Sequence, residues 1–121
     1  MRVRALTTAV ITALLLIAVP GVADATPRIT PWTCGDSAMC IYSSTDGTGH
    51  YLSLRDGVYD LSGVGGGVLA NNVHAARNIS GRNWCLYSSK GYEDRITLIT
   101  DGFKGAIGDA TARQVKSVGK C

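Results

Sequence analysis

The sequence predicts an all-β domain that is built from two similar halves. Residues 40–44 (Cys-Ile-Tyr-Ser-Ser) recur as residues 85–89 (Cys-Leu-Tyr-Ser-Ser), and each copy reaches an Asp-Gly pair after a span of 18 residues. A repeat of this kind indicates a duplicated supersecondary unit. Short alternating segments are separated by glycine-rich turns, and no long stretch has a helical period. We therefore expect a disulfide-stabilised sandwich of two Greek-key motifs.

Residues 1–25 have the features of a secretory signal peptide. Arg2 and Arg4 form a positive start, residues 10–19 are an almost unbroken apolar run, and Ala23-Asp24-Ala25 fits the small-x-small cleavage rule. The run is too short to span a membrane, and no other stretch is apolar enough to do so. We expect the chain to be secreted, extracellular and without a membrane partner.

The mature chain is expected to divide into an arm, residues 26–39, and a domain, residues 40–121. The arm contains two prolines, and Trp32 is a candidate anchor for it. The first repeat, about residues 40–80, has predicted strands at 40–42, 51–54 and 58–61, the last two because apolar and polar residues alternate there. Residues 71–78 are predicted as either a short helical turn or a loop that enters a strand near Ile79.

The second repeat, about residues 85–121, follows the same plan. Residues 84–87 begin it as a strand, and residues 95–100 are rich in β-branched and apolar side chains, which favour strands. A short strand and loop follow at residues 103–108. Each repeat then supplies about four strands, as a Greek key requires.

All four cysteines, Cys34, Cys40, Cys85 and Cys121, lie in the predicted mature chain. An even number in a small exported chain indicates two disulfides, whereas the spacings do not fit a zinc site. Four cysteines allow three connectivities, and the sequence leaves all three open. Because Cys40 and Cys85 occupy equivalent places in different repeats, we favour the pairing within halves, Cys34–Cys40 and Cys85–Cys121.

Charge and residue content exclude several functions. After removal of the leader, ten Lys and Arg face eight Asp and Glu, a net charge of +2 without clusters, which argues against nucleic-acid partners. Glu93 is the only glutamate, and His50 and His74 lie in no catalytic signature. We therefore expect a monomeric protein that is not an enzyme and that needs no cofactor.

The first repeat resembles a βγ-crystallin Greek-key motif. The signature of that motif is an aromatic residue, four residues, a second aromatic residue, one further residue and a glycine. Tyr42 and Gly49 fit this pattern, but Gly47 stands where the second aromatic residue is expected.

The second repeat has the complementary departure from the signature. Tyr87 and Tyr92 supply both aromatic residues, and Asp94 replaces the glycine. That position needs a positive φ, which aspartate tolerates better than most residues. With its Cys-Leu-Tyr opening after a tryptophan-containing arm, the mature chain resembles the secreted actinobacterial proteins grouped as peptidase inhibitor family I36, which adopt the βγ-crystallin fold.

The resemblance implies an inhibitor of secreted, thermolysin-like metalloproteases, with a reactive bond after a cysteine. Cys85–Leu86 is the best match, and Leu86 would fill the apolar pocket of the protease, because these enzymes prefer a bulky apolar residue after the scissile bond. Alternatively, Leu86 and the matching Ile41 are core residues at the start of a strand. The alternative function is a secreted structural or antimicrobial, killer-toxin-like module without protease inhibition.

The calcium motif of βγ-crystallins reads Asn/Asp, Asn/Asp, two free positions, Ser/Thr and Ser. Its candidate places here begin at Asn71-Asn72 and at Asp109. Ala75 and Arg113 then occupy the hydroxyl-ligand position, and neither side chain offers an oxygen. Calcium needs six to eight oxygen ligands, so we expect these loops to hold no metal.

Overall fold

The computed structural model describes residues 30–121; the predicted leader and residues 26–29 of the arm lie outside the described residues. Within this part, seven strands form two antiparallel sheets, in the orders β2-β1-β3-β6 and β5-β4-β7. The strands are β1 Met39–Tyr42, β2 Tyr51–Leu54, β3 Ala75–Asn78, β4 Trp84–Ser89, β5 Glu93–Ile99, β6 Lys104–Ala106 and β7 Ser117–Lys120. The predicted all-β sandwich is therefore confirmed.

The two repeats are interlocked because each sends its third segment to the sheet of the other. In the second repeat this segment is β6, which pairs with β3 of the first repeat. In the first repeat it is Val58, which bridges to Val118 of β7 through backbone bonds of 2.7 and 3.1 Å. The exchange makes two Greek keys into one domain with a shared core.

The core lies between the two sheets, where apolar side chains from both repeats meet. Burial of such side chains is the main favourable contribution to folding. Fully buried members include Met39, Ile41, Leu61, Leu69, Val73, Trp84, Leu86, Val115 and Val118. Both repeats contribute, so neither half has a separate core.

Two predicted elements differ from the structure. The strand expected at residues 58–61 is reduced to the bridge at Val58, and a 3₁₀ turn follows at Leu61–Gly63. Asp60 causes the change, because its carboxylate accepts a hydrogen bond from Ser62 N at 3.0 Å and so caps the turn. The strand expected near Ile79 lies slightly earlier, as β3, and a four-residue helix, α1 Asp109–Ala112, precedes β7.

Candidate functional site

The second repeat builds its hairpin corner from its own residues. Tyr92 and Asp94 have φ angles of 63° and 60°, so the predicted positive φ at Asp94 is confirmed. The Asp94 carboxylate accepts a hydrogen bond from Ser89 Oγ at 2.6 Å. The Tyr92 ring packs edge-on against Tyr87, with centroids 6.0 Å apart. Two aromatic rings thus cover the corner, as the Greek-key signature requires.

The first repeat obtains its second aromatic ring from the arm. Trp32 lies over Gly47, where any added Cβ would overlap the indole. The backbone N–H of Trp32 donates to Gly47 O at 2.9 Å, and the Trp32 ring packs edge-on against Tyr42, with centroids 5.5 Å apart. The indole therefore occupies the place that Tyr92 has in the second repeat. The sequence identified Trp32 only as an anchor, because the motif looks for the second ring five positions after the first.

Side chains of the first sheet and its loops fasten the arm to the domain. Tyr42 Oη donates to Thr33 O at 2.8 Å, and Arg77 Nη1 donates to Trp32 O at 2.8 Å. Lys104 Nζ lies 5.4 Å from the centroid of the Trp32 ring, a cation–π contact. The described part of the arm is consequently a fixed part of the structure.

The disulfides pair within the two halves, as favoured from the sequence. Cys34 is bonded to Cys40, at a sequence separation of 6, and Cys85 is bonded to Cys121, at a sequence separation of 36. The first bridge joins the arm to β1. The second joins the central strand β4 to the residue that follows β7.

The predicted reactive bond Cys85–Leu86 lies in the interior. Both residues are fully buried, and β4 is hydrogen-bonded on one side to β5 and on the other to β7. Leu86 packs in the same core cluster as Ile41. A protease pocket cannot reach Leu86 without opening the sheet, so the predicted contact does not fit this fold, and the alternative interpretation as a core residue does.

The position that matches the first calcium motif lies four residues later in the second repeat than the sequence predicts. Ala75 and Ser117 occupy matching places, because each pairs with the first tyrosine of its own repeat. The position that corresponds to Asn71 is therefore Arg113, and Asp109 instead begins α1. Ser117 stands at the hydroxyl position, but its Oγ donates to Ser89 O at 2.6 Å.

The candidate calcium residues are engaged in contacts within the protein. Asn72 Nδ2 donates to Val68 O at 3.1 Å. The Asp109 carboxylate lies 3.1 Å from Arg113 Nε and 3.9 Å from His74 Nδ1. Within residues 30–121, no group of three or more His, Cys, Asp or Glu side chains is placed to hold a metal ion.

The loop between the repeats, residues 79–83, is exposed yet strongly constrained. Asn78, which is fully buried beneath it, donates from Nδ2 to Arg82 O at 2.7 Å and to Ile99 O at 3.0 Å. Its Oδ1 accepts from Ser80 N and Ser80 Oγ at 3.0 and 2.7 Å. Nothing in the sequence signalled this arrangement, because it depends on a contact with a residue 21 positions away.

The sequence profile of peptidase inhibitor family I36 matches residues 28–99, more than half of the chain. This range contains the arm tryptophan, the first repeat, the loop at residues 79–83 and the hairpin β4–β5. No curated protein matches the sequence. In the described part of the chain, no helix is long and apolar enough to cross a membrane.

Solved βγ-crystallin structures share the fold. The βγ-crystallin of Ciona intestinalis is 16% identical, with a TM-score of 0.58, over 69% of this chain and 99% of its own. A βγ-crystallin domain from Clostridium beijerinckii is 19% identical, with a TM-score of 0.58, over 69% and 95%. A domain from Flavobacterium johnsoniae is 21% identical, with a TM-score of 0.58, over 69% and 92%. Identities this low establish a common architecture only.

Proposed function

The chain belongs to peptidase inhibitor family I36, and from this membership we propose that it is a secreted, monomeric inhibitor of extracellular metalloproteases of the thermolysin type. The observation that carries the proposal is the family match over residues 28–99. A protein of this kind acts by binding a protease, so it needs neither a catalytic group nor a cofactor of its own.

The architecture suits an inhibitor that must persist among proteases. Two disulfides, Cys34–Cys40 and Cys85–Cys121, close both halves of a domain of fewer than one hundred residues. Such bridges restrict the unfolded chain and reduce local opening, which is the state that proteases cut. Two disulfides in so small a domain are also typical of exported proteins, in keeping with the predicted leader.

The experiment starts from the full chain, expressed with its own leader in a secreting bacterial host. The intact mass of the protein in the medium is expected to show that residues 1–25 have been removed and that two disulfides are present. The oxidised protein is then titrated against thermolysin, with trypsin and papain as controls for protease class. We expect saturable inhibition of thermolysin at a one-to-one ratio, and no inhibition by the reduced and alkylated protein.

Absence of inhibition across a panel of secreted metalloproteases would overturn the proposal. The βγ-crystallin likeness then favours the second candidate, a secreted structural or antimicrobial module. Growth inhibition of bacteria or yeast by the oxidised protein, with the reduced protein as control, tests that candidate directly.

A further inference from the structure

We propose that residues 79–83, named here the tip loop, are the segment that enters the active-site cleft of the inhibited protease, with Ile79 in its apolar pocket and Arg82 against an acidic rim. This inference rests on the proposed function and locates its contact surface. It moves the contact away from Leu86, which is fully buried, to an exposed part of the chain.

The tip loop is held rigid from beneath by hydrogen bonds to its backbone. Besides the bonds from Asn78, Ser80 Oγ accepts from Trp84 Nε1 at 2.9 Å, which ties the loop to a buried core residue. Gly81 N donates to Asp101 Oδ1 at 2.9 Å. A segment that is already ordered loses little conformational entropy on binding, which favours affinity.

The same bonds oppose cleavage of the loop. Proteases bind substrates as extended strands, a form of strand addition. Here Gly81 has a φ of 81°, and the Arg82 carbonyl is turned inward to the Asn78 amide at 2.7 Å. The loop cannot extend without breaking these contacts, so it can occupy a cleft without becoming a good substrate.

Ile79 supplies the bulky apolar side chain that thermolysin-like enzymes prefer after the scissile bond. The residue is exposed, at 36% of its full surface, while its backbone N donates to Ala38 O at 3.0 Å. The side chain therefore projects from a fixed backbone position. Leu98 is more exposed, at 46%, but lies within strand β5, paired with Cys85 in the sheet.

The positive charges beside the tip loop indicate that the rim of the protease cleft is acidic. Arg82, Asn83, Lys120 and Cys121 line an open cleft of about 240 Å³. Only backbone atoms of Arg82 form hydrogen bonds within residues 30–121. Lys120 Nζ lies 3.8 Å from the exposed carboxylate of Asp56 and 5.8 Å from the centroid of the Trp84 ring. Two cations at this position favour a carboxylate of the partner, because opposite charges across an interface stabilise the complex.

Substitutions at the surface test the assignment with thermolysin as the probe. Ile79→Asp and Arg82→Glu change only the side chains, so the hydrogen bonds to the backbone of the tip loop stay in place. Lys116→Glu is the control, since it makes the same charge change at the other, exposed end of β7. We expect the inhibition constant to rise about 100-fold for Ile79→Asp, about tenfold for Arg82→Glu and less than twofold for Lys116→Glu.

The outcomes separate this inference from the proposed function. If the parent inhibits thermolysin and both tip-loop variants inhibit equally well, the contact surface is wrong while the inhibitor function stands. Loss of inhibition in Leu98→Asp, with Ile79→Asp unaffected, would place the contact on strand β5 instead. If the parent fails to inhibit, the inference fails together with the function on which it rests.

A second measurement tests the role of the buried tether. Asn78→Ala is expected to loosen the loop, so that thermolysin cleaves before Ile79 at least tenfold faster than in the parent, as read by mass spectrometry. Ser80→Ala removes fewer buried hydrogen bonds, and it replaces Asn78→Ala in this measurement if that variant does not fold. First cleavage at another site in both variants would contradict the assignment.

Discussion

The two repeats solve one packing problem in different ways. The second repeat covers its hairpin corner with Tyr92, a residue of the hairpin. The first repeat has Gly47, which has no side chain, at the matching position, and Trp32 from the arm covers that corner. In both corners a second ring stands edge-on to the first tyrosine of the repeat. The fold therefore requires an aromatic ring at a position in space, and the chain can deliver it from either side of the repeat.

The disulfides show the same difference between the halves. Cys34–Cys40 closes a short loop and holds the arm, which carries the substitute ring, against β1. Cys85–Cys121, at a sequence separation of 36, holds the end of the chain against β4. The first bridge thus fixes the arm before the first repeat, and the second fixes the end of the second repeat. Neither segment is held by strand pairing alone.

Removal of the bridges is expected to give the largest effect and to separate the halves. In the chain-entropy description, loss of Cys85–Cys121 costs roughly 4 kcal/mol and loss of Cys34–Cys40 roughly 2 kcal/mol, because the first closes the longer loop. Urea unfolding of Cys85→Ser/Cys121→Ser and Cys34→Ser/Cys40→Ser measures both. Equal losses would show that the short bridge stabilises chiefly through the docked arm.

Removal of the substitute ring is expected to give the next largest effect. Trp32→Ala should lower the free energy of unfolding by about 3 kcal/mol, because it uncovers the hairpin corner and removes the cation–π contact with Lys104. Tyr92→Ala should lower it by about 1–2 kcal/mol, because Tyr92 is more exposed. Chemical unfolding monitored by near-UV circular dichroism measures both variants.

Transfer of the aromatic residue sharpens this comparison. Gly47→Tyr alone should destabilise the parent, because its side chain overlaps the Trp32 indole. In the Trp32→Ala background the same change should restore part of the lost stability, since a tyrosine at the matching position tolerates a φ of 63°. Additive losses in the double variant would show that the two corners are not equivalent.

The first tyrosines of the repeats differ in burial, which makes the first half sensitive to alkali. Burial raises the pKa of Tyr42 to about 12 against the lowering influence of Arg77. A raised folded-state pKa means that the contribution is fully present below pH 10 and is lost as the pH rises through 12. The domain therefore loses stability between pH 10 and pH 12.

Tyr42→Phe tests the alkaline effect. The variant loses the bond to Thr33 O, about 1 kcal/mol at neutral pH, but should be less sensitive than the parent between pH 9 and 11.5. Tyr87→Phe is the matched control for loss of a hydroxyl in the second repeat. An unchanged pH dependence in Tyr42→Phe would assign the alkaline transition to other groups.

The architecture was predictable because its signals are local. The repeat, the alternating strands and the Asp-Gly turns give two Greek keys, and the signature identifies Asp94 as a residue of positive φ. The repeat spacing does not locate the second calcium motif, because the segment between Gly57 and Ala75 is three residues longer than that between Gly102 and Ser117, and the candidate Asp109 lies four residues before the matching position, Arg113. The repeat spacing therefore changes from 45 to 42 after the second turn, where the first repeat has glycine-rich 3₁₀ turns.

The candidate site was less predictable because it depends on contacts between distant segments. Leu86 lies on a strand that is covered on both faces, a property that alternation within six residues cannot show. The tip loop owes its rigidity to Asn78, whose partners include Ile99, far along the chain. The role of Trp32 depends on an arm without regular structure, so no periodicity announces it.

The glycine position of the signature should give the smallest effect and the most direct test of equivalence. Gly49 and Asp94 have φ angles of 82° and 60°. Gly49→Ala should cost about 1–2 kcal/mol, because alanine disfavours that φ and its Cβ would crowd Ser44 Oγ at 2.8 Å.

Asp94→Gly should change stability by less than about 1 kcal/mol, because relief of the positive φ offsets the lost bond from Ser89. Both free energies come from urea unfolding under identical conditions. A cost at Asp94 as large as that at Gly49 would mean that the carboxylate bond, rather than the backbone conformation, determines the residue there. The second repeat would then depend on a side-chain contact at the position where the first depends only on the freedom of glycine.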